Sequence, residues 1–150
     1  MKICYIASSG GHLEQVIRLN QMLGEYHEGF IVTEKTNFSS GINHSYNLYQ
    51  VNRRELLFFP KMIANTIRSV RILVIEKPDV IISTGALAVI PLCLVAKLSG
   101  KKLIFVESFA VINKPTLTGK LLYRFADRFY VQWEPLKKVY PRSIYLGGIY

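Results

Sequence analysis

Two short runs in this chain, Val80-Ile81-Ile82 and Leu103-Ile104-Phe105-Val106, are apolar at every position rather than at every second one. A strand of that kind must be covered on both faces, as in a parallel sheet with helices on either side. Further strand signals lie at residues 3–7, 29–33, 46–50, 128–132 and 143–146, and the two runs extend them at 80–83 and 103–106. Helical stretches alternate with these strands, at 13–23, 55–76, 86–98 and 116–125, and Glu134-Pro135 opens a short last one. In 116–125, Leu117, Leu121, Leu122 and Phe125 recur at helical spacing behind Pro115, a residue that suits a helix entrance. The alternation predicts an α/β fold with a doubly wound, mostly parallel sheet and a ligand crevice at the carboxyl ends of its strands. The 150 residues suffice for one domain with a real core, and no repeat or linker divides 1–150. Residues 34–44 are polar and read as a loop, and Gly147-Gly148-Ile149-Tyr150 as a tail leaving the last strand.

Several function classes fall away on composition. Cys4 and Cys93 form no C-x-x-C pair and no metal cluster, so they are expected in the core of a protein in a reducing, cytoplasmic setting. Met1-Lys2 leads straight into a strand, which is not the pattern of a signal peptide. The longest apolar run, 86–96, contains Pro91 and is far short of the roughly 20 residues that span a bilayer. Gly10-Gly11 lacks the third glycine of a dinucleotide fingerprint. Gly119-Lys120 is followed by Leu121 instead of Ser or Thr, so it is no P-loop. No metal and no cofactor is expected. The net charge of +9 calls for an anionic partner: nucleic acid, a phosphorylated substrate or an anionic membrane. Nucleic acid is the weakest of these, since no reader motif is present and the basic residues cluster beside apolar ones.

The chemistry concentrates at strand ends. Ser8-Ser9-Gly10-Gly11-His12 joins the first strand to the first helix. Glycines there let a ligand approach the backbone, and the helix's unpaired amides favour an anion. His12 at the mouth of that turn has the chemistry of a general base; the plainer reading is a tight turn with a surface histidine. Ser83-Thr84-Gly85-Ala86 repeats the arrangement after the fourth strand, as a second anion site or as an ordinary helix cap. Glu107-Ser108 ends the fifth strand, where a carboxylate either orients a histidine, binds a sugar hydroxyl, or is simply solvated. Gln132-Trp133-Glu134 ends the sixth, with an indole to stack on a ring or anchor a loop.

A different signal lies between Arg53 and Arg71. Leu56-Leu57-Phe58-Phe59 is followed by Met62 and Ile63 and flanked by Arg53, Arg54, Lys61, Arg68 and Arg71. Four consecutive large apolar residues cannot all face one core, so part of this cluster is expected at a membrane interface. Most of 67–75 is expected to be the core face of a helix.

Taken together, Ser-Ser-Gly-Gly-His at 8–12, Ser-Thr-Gly-Ala at 83–86, Glu-Ser at 107–108, Leu-Thr-Gly-Lys-Leu-Leu-Tyr at 117–123, Ala-Asp-Arg-Phe-Tyr-Val-Gln-Trp at 126–133 and Tyr-Leu-Gly-Gly at 145–148 resemble one family. It is the acceptor-side subunit of the two-part UDP-N-acetylglucosamine transferase of the dolichol pathway. The pattern is closer still to bacterial relatives in capsular and exopolysaccharide synthesis, the β-1,4-galactosyltransferase enhancers. The resemblance implies a Rossmann-like fold similar to the N-terminal half of a GT-B glycosyltransferase. It implies a small UDP-sugar-binding subunit as partner and a polyprenyl-diphosphate-linked saccharide as acceptor. It also implies peripheral docking on an anionic membrane surface, at the cytoplasmic face. By the same resemblance, Gly10 and Gly11 would contact the acceptor diphosphate, with His12 as the base; on their strand-end positions Ser9, Thr84 and Gly85 are expected at the diphosphate too, and Glu107 is expected to be catalytic. Arg53, Arg54, Leu57, Phe58, Phe59 and Lys61 would meet the membrane. The family's eukaryotic N-terminal membrane helix has no counterpart here, and Val111 stands where a basic residue is common.

Overall fold

The computed structural model describes residues 1–37 and 41–150; part of the polar loop expected at 34–44 lies outside them. The elements in order are β1 (Lys2–Ala7), α1 (Gly11–Leu23), β2 (Glu28–Glu34), β3 (Ser45–Leu48), α2 (Phe58–Glu76) and β4 (Val80–Gly85). They continue with a 3₁₀ turn (Leu87–Val89), α3 (Ile90–Leu98), β5 (Lys102–Val106), α4 (Leu117–Leu122), β6 (Arg128–Val131), a 3₁₀ segment (Glu134–Lys138) and β7 (Ile144–Tyr145). The seven strands form one sheet in the order β3-β2-β1-β4-β5-β6-β7, and every neighbouring pair is parallel. The winding reverses between β1 and β4. At such a point the loops leaving the two strands diverge to opposite faces and open a crevice above their carboxyl ends.

Both faces of the central strands are covered, as their continuous apolarity requires. Ile6, Phe30, Val32, Ile81, Leu103 and Phe105 pack with Ile72 and Leu73 of α2, Leu92 and Cys93 of α3 and Leu122 of α4. Ile3, Tyr5, Ile31 and Ile82 face the other way, onto Leu13 and Val16 of α1. Cys4 and Cys93 are buried and free. Burial pushes the Cys93 thiol up to about 12 and raises Cys4 well above its ordinary value, so both pack as neutral groups.

Several boundaries differ from those the sequence suggests. The helix expected from 86 starts with a 3₁₀ turn, and Pro91 sits in the first turn of α3, where its missing N–H has no helical partner to lose. The helix expected from 55 begins at Phe58. The last residues do not leave the sheet as a free tail. The Ile149 amide donates to Gln132 Oε1, and the Tyr150 ring lies 5.1 Å from Phe109 and 4.8 Å from the Arg18 guanidinium.

The main reversal is α2, whose apolar side faces outward. Its buried residues are Asn65, Ser69, Ile72, Leu73 and Glu76, whereas Phe59, Ile63, Ile67, Val70 and Val74 are exposed. Steps of three and four place those five on one helix face. The stretch expected as core thus contributes only Ile72 and Leu73. The polar residues beneath are fully engaged. Asn65 accepts from the Tyr49 amide and donates to the Tyr49 carbonyl, and Ser69 Oγ donates to the Asn65 carbonyl. Glu76 receives Lys2, Tyr46 and His44.

Candidate active site

The two turns at the switch point share an unusual backbone. Gly10, which caps α1, has φ 84° and ψ −146°; Ala86, which caps the 3₁₀ turn before α3, has φ 81° and ψ 169°. Glycine reaches that region freely, while an alanine held there is strained. The Gly10 carbonyl accepts from the Leu13 and Glu14 amides. The preceding amides, at Gly11 and His12, have no helical carbonyl behind them and open toward the crevice.

His12 is clasped between the turns. Its Nδ1 lies 2.7 Å from the Thr84 carbonyl oxygen, and Thr84 Oγ1 donates to the His12 carbonyl at 2.8 Å. A carbonyl only accepts, so Nδ1 carries the proton and the lone pair of the neutral ring is on Nε2. Gly85 packs against the ring at φ +113°, and it is this backbone angle that calls for glycine, since a Cβ there would make only ordinary contacts, 3.4 Å from His12 Cε1 and 3.5 Å from Phe105 Cζ. Thr84 and Gly85 therefore act on His12. The Thr84 hydroxyl and carbonyl, expected at the diphosphate, are both paired with His12.

Two other expected site residues have partners within the fold. Ser9, expected at the diphosphate, donates from both its amide and its hydroxyl to Glu34 Oε2 at 3.2 Å. Glu107, expected to be catalytic, is 1% exposed and organises the loop beyond β5. Its Oε1 accepts from the Ser108 amide and Thr116 Oγ1; its Oε2 accepts from the Thr116 amide and Tyr140 OH. A Cβ on Gly119 would fall 2.0 Å from Glu107 Oε2, so that glycine exists to admit the carboxylate. Burial and then Glu107 raise the Tyr140 phenol far above its usual range, keeping it a donor. The group that orients His12 is the Thr84 carbonyl. Trp133 anchors a loop, its indole N–H donating to the Phe109 carbonyl at 2.7 Å.

Two cavities lie at the carboxyl ends of the strands, and His12 lines one of them. One, of about 470 Å³, is lined by Gly11, His12, Gln15, Ser108, Phe109 and Tyr150 among others. The second, of about 350 Å³, is bounded by Ser8, Glu34, Gln50, Arg53, Ala86 and Thr118 among others. Glu34 and Gln50 were not singled out by sequence. The available signal was positional, since Glu34 ends β2 as Glu107 follows β5. Gln50 is held in place by its neighbour Tyr49, which Asn65 pins at both backbone atoms. Of the residues expected at a membrane, Arg53, Arg54, Leu57 and Phe59 are exposed, whereas Phe58 and Lys61 are half-buried and Lys61 pairs with Glu55. Among the described residues no group of three His, Cys, Asp or Glu is placed to hold a metal, and no helix is long and apolar enough to cross a membrane.

The sheet order and its crevice define a Rossmann-like doubly wound domain of the kind that forms one half of GT-B proteins. MurG of Acinetobacter baumannii superposes with a TM-score of 0.72 at 19% identity, over 90% of this chain and 43% of that one. The UDP-N-acetylglucosamine 2-epimerase of Rickettsia bellii gives 0.78 at 12% identity, over 99% of this chain and 45% of that one. The chain thus spans less than half of either structure. Residues 3–149 match the family model described as oligosaccharide biosynthesis protein Alg14 like, and the chain belongs to that family. It is 28% identical to the human UDP-N-acetylglucosamine transferase subunit ALG14, over 99% of this chain and 83% of the human one. With the rat protein of the same name it shares 31% identity, over 96% of this chain and 81% of the rat one. These relatives agree with the dolichol-pathway resemblance; the finer likeness to capsular and exopolysaccharide enhancers is not carried by them.

Proposed function

We propose that this chain is the acceptor-side subunit of an inverting UDP-sugar glycosyltransferase whose donor half is a separate small protein. The acceptor is a polyprenyl-diphosphate-linked saccharide presented at the cytoplasmic face of a membrane. The observation that carries this reading is His12, with Nδ1 fixed on the Thr84 carbonyl and Nε2 left basic beside a cavity. Nε2 takes the proton of the attacking acceptor hydroxyl as that oxygen bonds the anomeric carbon and the UDP oxygen departs. The open amides of Gly11 and His12 and the positive end of α1 supply the anion site for the diphosphate. The exposed stripe on α2, with Arg53 and Arg54 at its upper end, supplies the membrane face. A capsular or exopolysaccharide product rests on the motif resemblance alone.

A single domain of this kind does not by itself close over a donor, so activity should require the partner. The purified chain is assayed with labelled UDP-sugar and lipid acceptor, with and without the small subunit; full activity without it contradicts the two-subunit reading. The α2 stripe also favours a second reading, a non-catalytic scaffold that recruits a separate transferase to the membrane. Substitution of His12 separates the two, because a scaffold would lose little.

A further inference from the structure

We infer that the cavity of about 350 Å³ at the ends of β1, β2 and β4 is the subsite for the uncharged saccharide of the acceptor. Glu34 serves there as the acceptor for sugar hydroxyls. This rests on the acceptor-side reading above and adds which part of the acceptor goes where. The size falls in the ordinary range for small-ligand sites, roughly 300–1,000 Å³.

The lining contains polar groups without partners among the described residues. Ser8, Glu34 and Thr118 are 8%, 5% and 4% exposed. Among the described residues, every hydrogen bond to Glu34 comes from Ser9 and ends on Oε2. The Ser8 and Thr118 hydroxyls bond to no described side chain or backbone group. These side chains are largely covered while their oxygens open into the cavity, and a carboxylate oxygen with two hydroxyls suits a ligand rich in hydroxyls. Val51, Leu87 and Leu117 add apolar wall, which matches the C–H faces of a sugar ring.

The carboxylate also decides against the diphosphate. A phosphate in this cavity would lie beside a like charge with little water between, whereas the α1 amides offer it a positive site a few residues away. The diphosphate thus belongs over Gly10-Gly11-His12 and the sugar beside Glu34. Ser8 and Ala86 line the cavity and flank the two turns that clasp His12, while His12 itself lines the neighbouring cavity, so the sugar must extend across these turns to the base. Arg53 at the rim is exposed and is the one cation among the described residues of the lining.

The test uses the full chain in detergent micelles and three probes: a polyprenyl diphosphate without sugar, and the same lipid bearing N-acetylglucosamine or glucose. The wild type should bind at least one sugar-bearing lipid about tenfold tighter than the bare lipid, the effect of one or two good hydrogen bonds. Glu34→Ala should cut that preference below about threefold while bare-lipid binding holds or improves. Gln50→Ala, which leaves Ser9 and its turn untouched, should also reduce it. Glu34→Gln keeps an oxygen for Ser9 and should fall between. A preference that survives Glu34→Ala, or a wild type with none, overturns the inference. Equal loss of bare-lipid binding would show that Glu34 acts by holding the Ser9 turn and not by meeting the sugar, and would overturn it too. Failure of the wild type to bind any of the three lipids instead contradicts the acceptor-side reading itself.

Discussion

Replacing Glu107 with alanine tests whether this carboxylate builds the site or reacts in it. The substitution removes the acceptor for the Ser108 amide, the Thr116 amide and hydroxyl, and Tyr140 OH. Tyr140 is 1% exposed and has no route to water. Ser108 lines the His12 cavity and recovers part of its loss from solvent. Breaking a buried, charge-assisted network of this kind costs about 3–5 kcal/mol, a large part of the roughly 5–15 kcal/mol that holds a domain folded. For a chain of this size the melting temperature should drop by roughly 6–20 °C. Glu107→Gln, which keeps the shape and one acceptor oxygen, should lose about half as much stability. Urea unfolding followed by circular dichroism measures both. If Glu107→Ala loses less than about 1 kcal/mol yet its complex with the partner is inactive, Glu107 is catalytic and the structural assignment is wrong.

The α2 stripe should bind anionic vesicles, with high salt weakening the interaction without abolishing it, because salt screens charges and leaves apolar burial intact. Changing Phe59, Ile63 and Ile67 together to serine should preserve folding and cut binding more than tenfold, since each such side chain contributes about 1.5–3 kcal/mol when buried; unchanged vesicle binding by the folded variant contradicts a membrane role for this face. At the opposite end of the sheet, burial alone would raise the Glu76 pKa, but hydrogen bonds from Lys2, Tyr46 and His44 outweigh it and hold the carboxyl at about 2, below its ordinary 4.5. The unfolded chain therefore takes up the proton first, so this stabilisation is complete above about pH 4.5 and is lost as the pH falls toward 2. The change is about 1–2 kcal/mol after screening by solvent. Glu76→Gln should flatten the stability profile over that window, and an unaltered slope in urea titrations refutes it.

The sheet was legible because its central strands are apolar on both faces and leave no other packing. Strand-to-helix turns at 8–12 and 83–86 were legible for a related reason: glycines and small polar residues cluster where buried strands end. Which face of α2 turns inward was not. Periodicity marks an apolar stripe but not its direction, and here Asn65, Ser69 and Glu76 are buried because each has long-range partners in β1, β3 or the loop after it, or one turn back in the helix. Glu107 and Glu34 show the same limit at the site. Both stand at the carboxyl ends of strands, yet among the described residues one receives four donors and the other receives donors on one oxygen alone. That difference depends on Thr116, Tyr140 and Ser9, which sequence distance alone does not bring together.

The central claim is that His12 is the base, and turnover of the reconstituted two-subunit complex at saturating acceptor tests it directly. His12→Ala should lower the rate roughly 10²–10⁴-fold, while folding, partner binding and acceptor binding persist. A complex of the substituted chain that turns over at near the parental rate contradicts the account.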